Sequence, residues 1–222
     1  MSGLLKGTIT VIISTILMVG TLLLVNLIAG TLIPMLWLSL GAALLGIGYG
    51  LQAGILGIYS LSNFKGWLEL VIDTTWSLPN TLFGFIIGNI IYPFFASISK
   101  SNSNNNGWIV YMPVAGSTGF GSSVLQTLGT VNIGGAGQHE RMHLLQGRIF
   151  GPLYLLLFAL NYIVTFLIQL IWTFTIGGLL WLLKVRDKAY FRPSSHSAVQ
   201  GFFGWIYYAT FFELWAYKSG NP

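Results

Sequence analysis

The sequence predicts a mainly α-helical, polytopic membrane protein with about four to five apolar helices, a small β-hairpin, and one helix bearing paired histidines. Three observations predict it. Only 7% of the 222 residues are charged, against about 25% in an ordinary soluble domain. Several apolar runs are long enough to cross a hydrocarbon core of about 30 Å. At 139–143 the chain reads His-Glu-Arg-Met-His, and residues four apart share one helix face.

Composition narrows the function classes. Hydrophobic content is 54% and mean hydropathy +0.74, so the main solvent is expected to be lipid and the first partner the bilayer. There are no cysteines, which excludes disulfides, thiolate metal sites and cysteine nucleophiles. The net charge of +5 is thinly spread. Its densest cluster, Lys184, Arg186, Lys188 and Arg192, directly follows an apolar run. That position suits a cytoplasmic anchor under the positive-inside rule, not a nucleic-acid surface.

Residues 1–60 read as an N-terminal transmembrane helical hairpin. A head with Lys6 precedes the run 7–29, which is too long for a signal-peptide core and is expected to be retained, its head cytoplasmic. A tight turn at 30–34 leads to the run 35–59, whose six glycines suit close helix–helix approach. Residues 61–222 read as one membrane-embedded domain. Glu69 and Asp73, four apart, are expected on a solvated face or cap. Pro79 extends Leu78, and Asn80 or Thr81 is expected to cap a short, interrupted helix over 82–98. Residues 99–107 read as an exposed loop. The strand-like stretch 108–114 and the mixed stretch 124–133, about the glycine-serine turn 116–123, are expected to pair as a hairpin. The free edge of 108–114 would suit an extended peptide. The motif helix is expected to end near Gly147. The apolar run 150–183 is either one tilted helix or two, broken between Asn161 and Gln169. An aromatic helix over 201–217 suits a headgroup interface.

The motif carries the chemistry. His139 and His143 on one face can ligate one Zn²⁺, and Glu140 can take a proton from water beside it. With three His and three Glu in the chain, HExxH arises by chance in roughly a few of every ten thousand shuffled chains, which favours metal binding over a merely solvated pair. Zinc bound by two histidines takes a further protein ligand. Glu213, a lone carboxylate in an apolar aromatic helix, is the first candidate. His196, in a Pro-Ser loop, is its rival. Asp187, among Lys and Arg, reads as a surface ion pair.

The stretch HERMHLLQGRIFGPLY, with Phe212 to Tyr217 near the end, resembles the gluzincin type of metallopeptidase. The chain is also similar to a group of small bacterial HExxH membrane proteins, through Ser77 to Thr81, 108–137, His139 to Gln146 and Phe212 to Tyr217. The resemblance runs by short motifs over about the C-terminal two-thirds. It implies a zincin-like fold, His139, His143 and Glu213 as zinc ligands, and Glu140 as general base. The chain departs from the pattern in lacking a clear oxyanion donor; Tyr217, one helical turn past Glu213, is the nearest candidate and Arg141 a weaker one. It also implies the bacterial inner membrane, with the site near the cytoplasmic interface. Two functions follow as expectations. One is a zinc-dependent metallopeptidase acting on peptides. The other is a non-catalytic accessory subunit of a larger membrane complex, with a relict or structural HExxH. A haem site is disfavoured, since two histidines on one helix face cannot sandwich a porphyrin.

Overall fold

The computed structural model describes residues 2–114, 126–134, 137–185 and 202–219. It is mainly helical, with a small mixed sheet, and divides into two compact units, Met1–Pro152 and Leu153–Pro222.

The first unit begins with helices α1 (Gly3–Ile28) and α2 (Met35–Leu56). Gly30 and Thr31 turn the chain between them with positive φ. The two helices touch along Gly46, Gly50 and Gly54, which are four apart and so share a face. A Cβ on Gly46 would lie 2.7 Å from the Thr15 backbone, and one on Gly54 would lie 2.9 Å from the Gly7 carbonyl. The glycine richness of this segment is therefore a close-approach stripe, and Ser14 Oγ donates across it to the Gly46 carbonyl at 3.1 Å.

Helix α3 (Phe64–Thr74) starts at Asn63, whose side chain accepts from Gly66 N–H. Helix α4 (Leu78–Ile91) starts earlier than the sequence suggested, with Pro79 inside its first turn. Asn80 and Thr81 are therefore not its caps. The helix ends at Ile91, where a 3-10 turn at Tyr92–Phe94 carries Pro93. Strand β1 (Ala96–Ile98) follows instead of further helix. The stretch expected to be an exposed loop contains a short helix, α5 (Lys100–Ser103), in which Ser103 is buried. Its hydroxyl accepts from Val110 N–H at 2.9 Å.

The remaining strands are β2 (Ile109–Pro113), β3 (Gln126–Leu128) and β4 (Val131–Ile133), in the order β1-β2-β4-β3. The expected hairpin between 108–114 and 124–133 is not how they pair. β2 runs parallel to β4, with Ile109 opposite Val131, and the tight hairpin is β3–β4. β2 has a strand on each side, so it offers no free edge; β3 stands at the edge. Helix α4 lies on the hairpin through Gly84 and Gly88, where a Cβ would strike Leu128 and Val131. Met18, Tyr49, Leu70, Leu78, Ile109 and Val131 meet in one apolar core.

Helix α6 (Gln138–Phe150) outlasts the stop expected near Gly147 and ends at Gly151, at φ 54°. A Cβ there would collide with the Trp76 ring. The last carbonyls of α6 need donors, and the start of α4 supplies them. Ser77 Oγ donates to Gly147 O at 3.0 Å, and Asn80 Nδ2 donates to Gly151 O at 2.7 Å.

In the second unit, α7 (Tyr154–Phe174) is followed by α8 (Ile176–Leu182). The break falls at Thr175 and not between Asn161 and Gln169. The terminal run is two helices, α9 (Phe202–Ala209) and α10 (Phe211–Ser219), not one. Three helical stretches among the described residues are long and apolar enough to cross a membrane: Gly3–Ile28, Met35–Leu56 and Gln138–Phe174. A fourth arises if the pair Phe64–Thr74 and Leu78–Phe94, bent by 81°, counts as one span. Apolar side chains such as Ile16, Leu24, Leu44, Ile55, Leu156 and Ile163 face outward on these helices, which is compatible with membrane insertion.

Replacing Gly50 with leucine is expected to wedge α1 from α2 and cost roughly 1–3 kcal/mol. Gly41→Leu, where a Cβ meets nothing within 4 Å, is expected to leave the melting temperature in detergent nearly unchanged. Equal melting of the two variants would refute the close-approach stripe.

Candidate metal centre

Helix α6 presents two faces. His139, His143 and Gln146 lie on one; Arg141, Leu144, Leu145 and Arg148 lie on the other.

On the histidine face, the Nε2 atoms of His139 and His143 are 3.2 Å apart. Two imidazoles sharing a tetrahedral zinc at about 2.05 Å place their nitrogens about 3.3 Å apart. The pair therefore has the spacing that one ion requires. His143 Nδ1 meets Gln146 Oε1 at 2.9 Å. Gln146 is fully buried, and its amide oxygen accepts a hydrogen bond from His143 Nδ1–H, the tautomer that leaves the lone pair on Nε2. Glu140 is also buried. Its Oε2 accepts from Thr127 Oγ1 on β3 at 2.7 Å, while its Oε1 faces His139 Nε2 at 3.9 Å. Asn132 Nδ2 on β4 donates to Thr127 Oγ1 at 3.1 Å, so the sheet orients the hydroxyl that orients the carboxylate.

On the other face, Arg148 grips α3. Its Nε and Nη2 donate to the two oxygens of Asp73 at 2.8 and 2.7 Å, and its Nη1 donates to Glu69 at 3.0 Å. Nη2 also reaches the Gly107 carbonyl at 2.9 Å. Asp73 is fully buried. The expectation of a solvated acidic face is therefore corrected: Glu69 and Asp73 form a partly buried ion-pair network with Arg148. Tyr59 Oη donates to Asp73 Oδ2 at 2.8 Å and meets the hydroxyl of Tyr49. Burial, with the Asp73 carboxylate alongside, pushes the Tyr59 phenol well above its usual range, so it remains a donor.

Glu213 and Tyr217 lie on α10 in the second unit. Glu213 is 2% exposed, and Tyr162 Oη donates to its Oε1 at 3.1 Å. Burial and the Glu213 charge push the Tyr207 phenol upward. Asn161 Oδ1 accepts from Phe211 N–H at 2.7 Å and so caps α10, while Phe212 meets the rings of Tyr154 and Phe158. Tyr217 stacks on Tyr208 at 5.0 Å. Burial and that neighbour raise its phenol too, which keeps it a neutral donor. His139 and His143 lie on α6 of the first unit, and Glu213 lies on α10 of the second. His196 and Asp187 lie outside the described residues.

Sequence reasoning assigned no role to Thr127, Asn132, Gln146 or Arg148. Gln146 had a signal, three residues past His143 and so one turn along the same face. Arg148 had one too, since two carboxylates in a nearly uncharged chain call for a cation. Thr127 had none, because only the sheet brings it to α6. No family model, curated protein or solved structure matches the chain, and the reading of the site rests on its own residues.

Arg148→Met would leave Asp73 buried without its cation and is expected to cost roughly 3–5 kcal/mol, measurable by thermal or denaturant unfolding in micelles. A variant as stable as wild type would mean that the fork is dispensable. Gln146→Leu is expected to weaken zinc affinity about 10- to 100-fold in a competitive chelator titration, with the helix intact by circular dichroism. Unchanged affinity would remove Gln146 from the site.

Proposed function

We propose that this chain is a membrane-embedded, zinc-dependent metallopeptidase, with His139, His143 and Glu213 as ligands and Glu140 as general base. The observation that carries the reading is the pair of Nε2 atoms 3.2 Å apart beside a buried carboxylate. A bound zinc supplies Lewis acidity toward a water and a substrate carbonyl. The chain's own residues do the rest. Gln146 fixes the tautomer of His143. Thr127 holds one oxygen of Glu140 and leaves the other to take a proton from water and deliver it to a leaving amine. Tyr217, a neutral phenol, is the candidate donor to a developing oxyanion. Strand β3, at the sheet edge and bonded to Glu140 through Thr127, suits an extended peptide added as a further strand. The apolar helices support membrane insertion; the bacterial inner membrane, a site near the cytoplasmic interface and peptide substrates at the bilayer surface are part of the proposal.

Metal analysis of purified protein tests this. One zinc per chain is expected in wild type and in Glu140→Gln and His196→Ala, with loss in His143→Ala and Glu213→Gln. Peptide hydrolysis is expected to vanish in Glu140→Gln while zinc is retained. Wild type without metal would sink the proposal and favour the accessory-subunit role. Zinc without hydrolysis of any membrane-surface peptide would reduce the site to a structural one.

A further inference from the structure

The open ends of α1 and α2 enclose a cavity of about 600 Å³ that shares no residue with the histidine face of α6. Its walls are apolar, from Val11, Leu51 and Ile55, and its rim is polar, from Lys6, Lys100 and Asn104. The backbones of Gly7 and Gly54 meet here, so neither helix sends a side chain from those positions into the space. The N-terminal turn of α1 and the C-terminal turn of α2 line the same rim, so their opposed backbone dipoles offset each other and the lysines supply its positive charge.

Neither lysine has a carboxylate partner among the described residues. The carboxylates there are engaged elsewhere: Glu69 and Asp73 with Arg148, Glu140 with Thr127, and Glu213 with Tyr162. Two cations above an apolar wall, at one end of a hairpin long enough to span, match the boundary between headgroups and acyl chains.

We propose that this cavity binds an anionic phospholipid. Lys6 and Lys100 hold the phosphate, and an acyl chain lies along Val11, Leu51 and Ile55. A zwitterionic lipid brings its own ammonium group to the same rim and gains less. The site does not depend on the metallopeptidase reading; it rests on the hairpin lying in a membrane.

Native mass spectrometry of the full chain in micelles, titrated with dioleoylphosphatidylglycerol, dioleoylphosphatidylcholine or glycerol 3-phosphate, tests it. Phosphatidylglycerol is expected to bind at least about tenfold more tightly than phosphatidylcholine, and its affinity is expected to fall about fivefold for each of Lys6→Gln and Lys100→Gln. Lys218→Gln is expected to change nothing, and zinc content is expected to be the same in all variants. The preference is also expected to shrink in high salt with no mutation at all. Equal binding of the two lipids, or a preference that survives the double lysine variant, would overturn the proposal. So would glycerol 3-phosphate binding as tightly as phosphatidylglycerol, which would make the rim a small-anion site.

Discussion

The fork of Arg148 on Asp73 is the interaction on which the first unit depends. Asp73 is fully buried in a chain with few charges, and an unpaired carboxylate there would cost several kcal/mol. Arg148 answers with two parallel N–H bonds to it, one to Glu69 and one to the Gly107 carbonyl. The planar guanidinium fixes direction as well as distance. Helix α6 is thereby tied to α3 on one face. Its end is tied to α4 by Ser77 and Asn80. With rotation and position both fixed, the opposite face carries His139, Glu140 and His143 to the sheet. The same carboxylate receives Tyr59 and, through it, meets Tyr49 of α2, so the helical hairpin joins the network that orients the histidines.

What was legible in the sequence was local. Helical periodicity put His139 and His143 on one face, and length plus hydropathy marked α1 and α2. The glycines of α2 announced close packing, which the approach of Gly46 to Thr15 bears out. The failures have a common cause: tertiary partners decided where elements stop. Polar residues inside the run 150–183 looked like breakers, yet they are satisfied without bending the helix. Gln169 Nε2 donates to Thr173 Oγ1 at 3.0 Å, and Asn161 caps α10. The break comes at Thr175, at φ −123° and ψ −113°. Just beyond it, Gly177 lies against the Trp172 ring, where a Cβ would clash. No composition rule separates those cases.

The sheet was illegible for another reason. Strands of three residues carry almost no alternation to read, and β2 finds its neighbours at a distance in sequence, β1 before it and β4 after it. The parallel pairing of β2 with β4 leaves β3 outermost. That puts β3 and not β2 at the sheet edge, and it puts Thr127 where its hydroxyl reaches Glu140. Gly84 and Gly88 complete this arrangement, because only bare backbone lets α4 lie on the β3–β4 hairpin.

The two buried carboxyl groups beside α6, Asp73 and Glu140, meet different partners. Gln146 Oε1 lies 2.9 Å from His143 Nδ1, and the two facing Nε2 atoms are 3.2 Å apart. Glu140 brings a carboxyl group into a buried site, with Thr127 donating to one oxygen and Asn132 orienting that hydroxyl. One neutral hydrogen bond offsets only part of the cost of burying a carboxylate. The network on the opposite face shows how this fold treats such a group when no ion is involved: Asp73 receives a bidentate guanidinium and a phenol. Among the described residues Glu140 makes no ion pair with an arginine or lysine, since the neighbouring Arg141 turns to Asn106 and the Trp108 ring. The proposed divalent cation on the two Nε2 atoms would supply positive charge beside the oxygen that Thr127 does not hold. Asp73 is thus balanced by a fixed arginine, and on the proposed reading Glu140 would be balanced by an ion that leaves one carboxyl oxygen open.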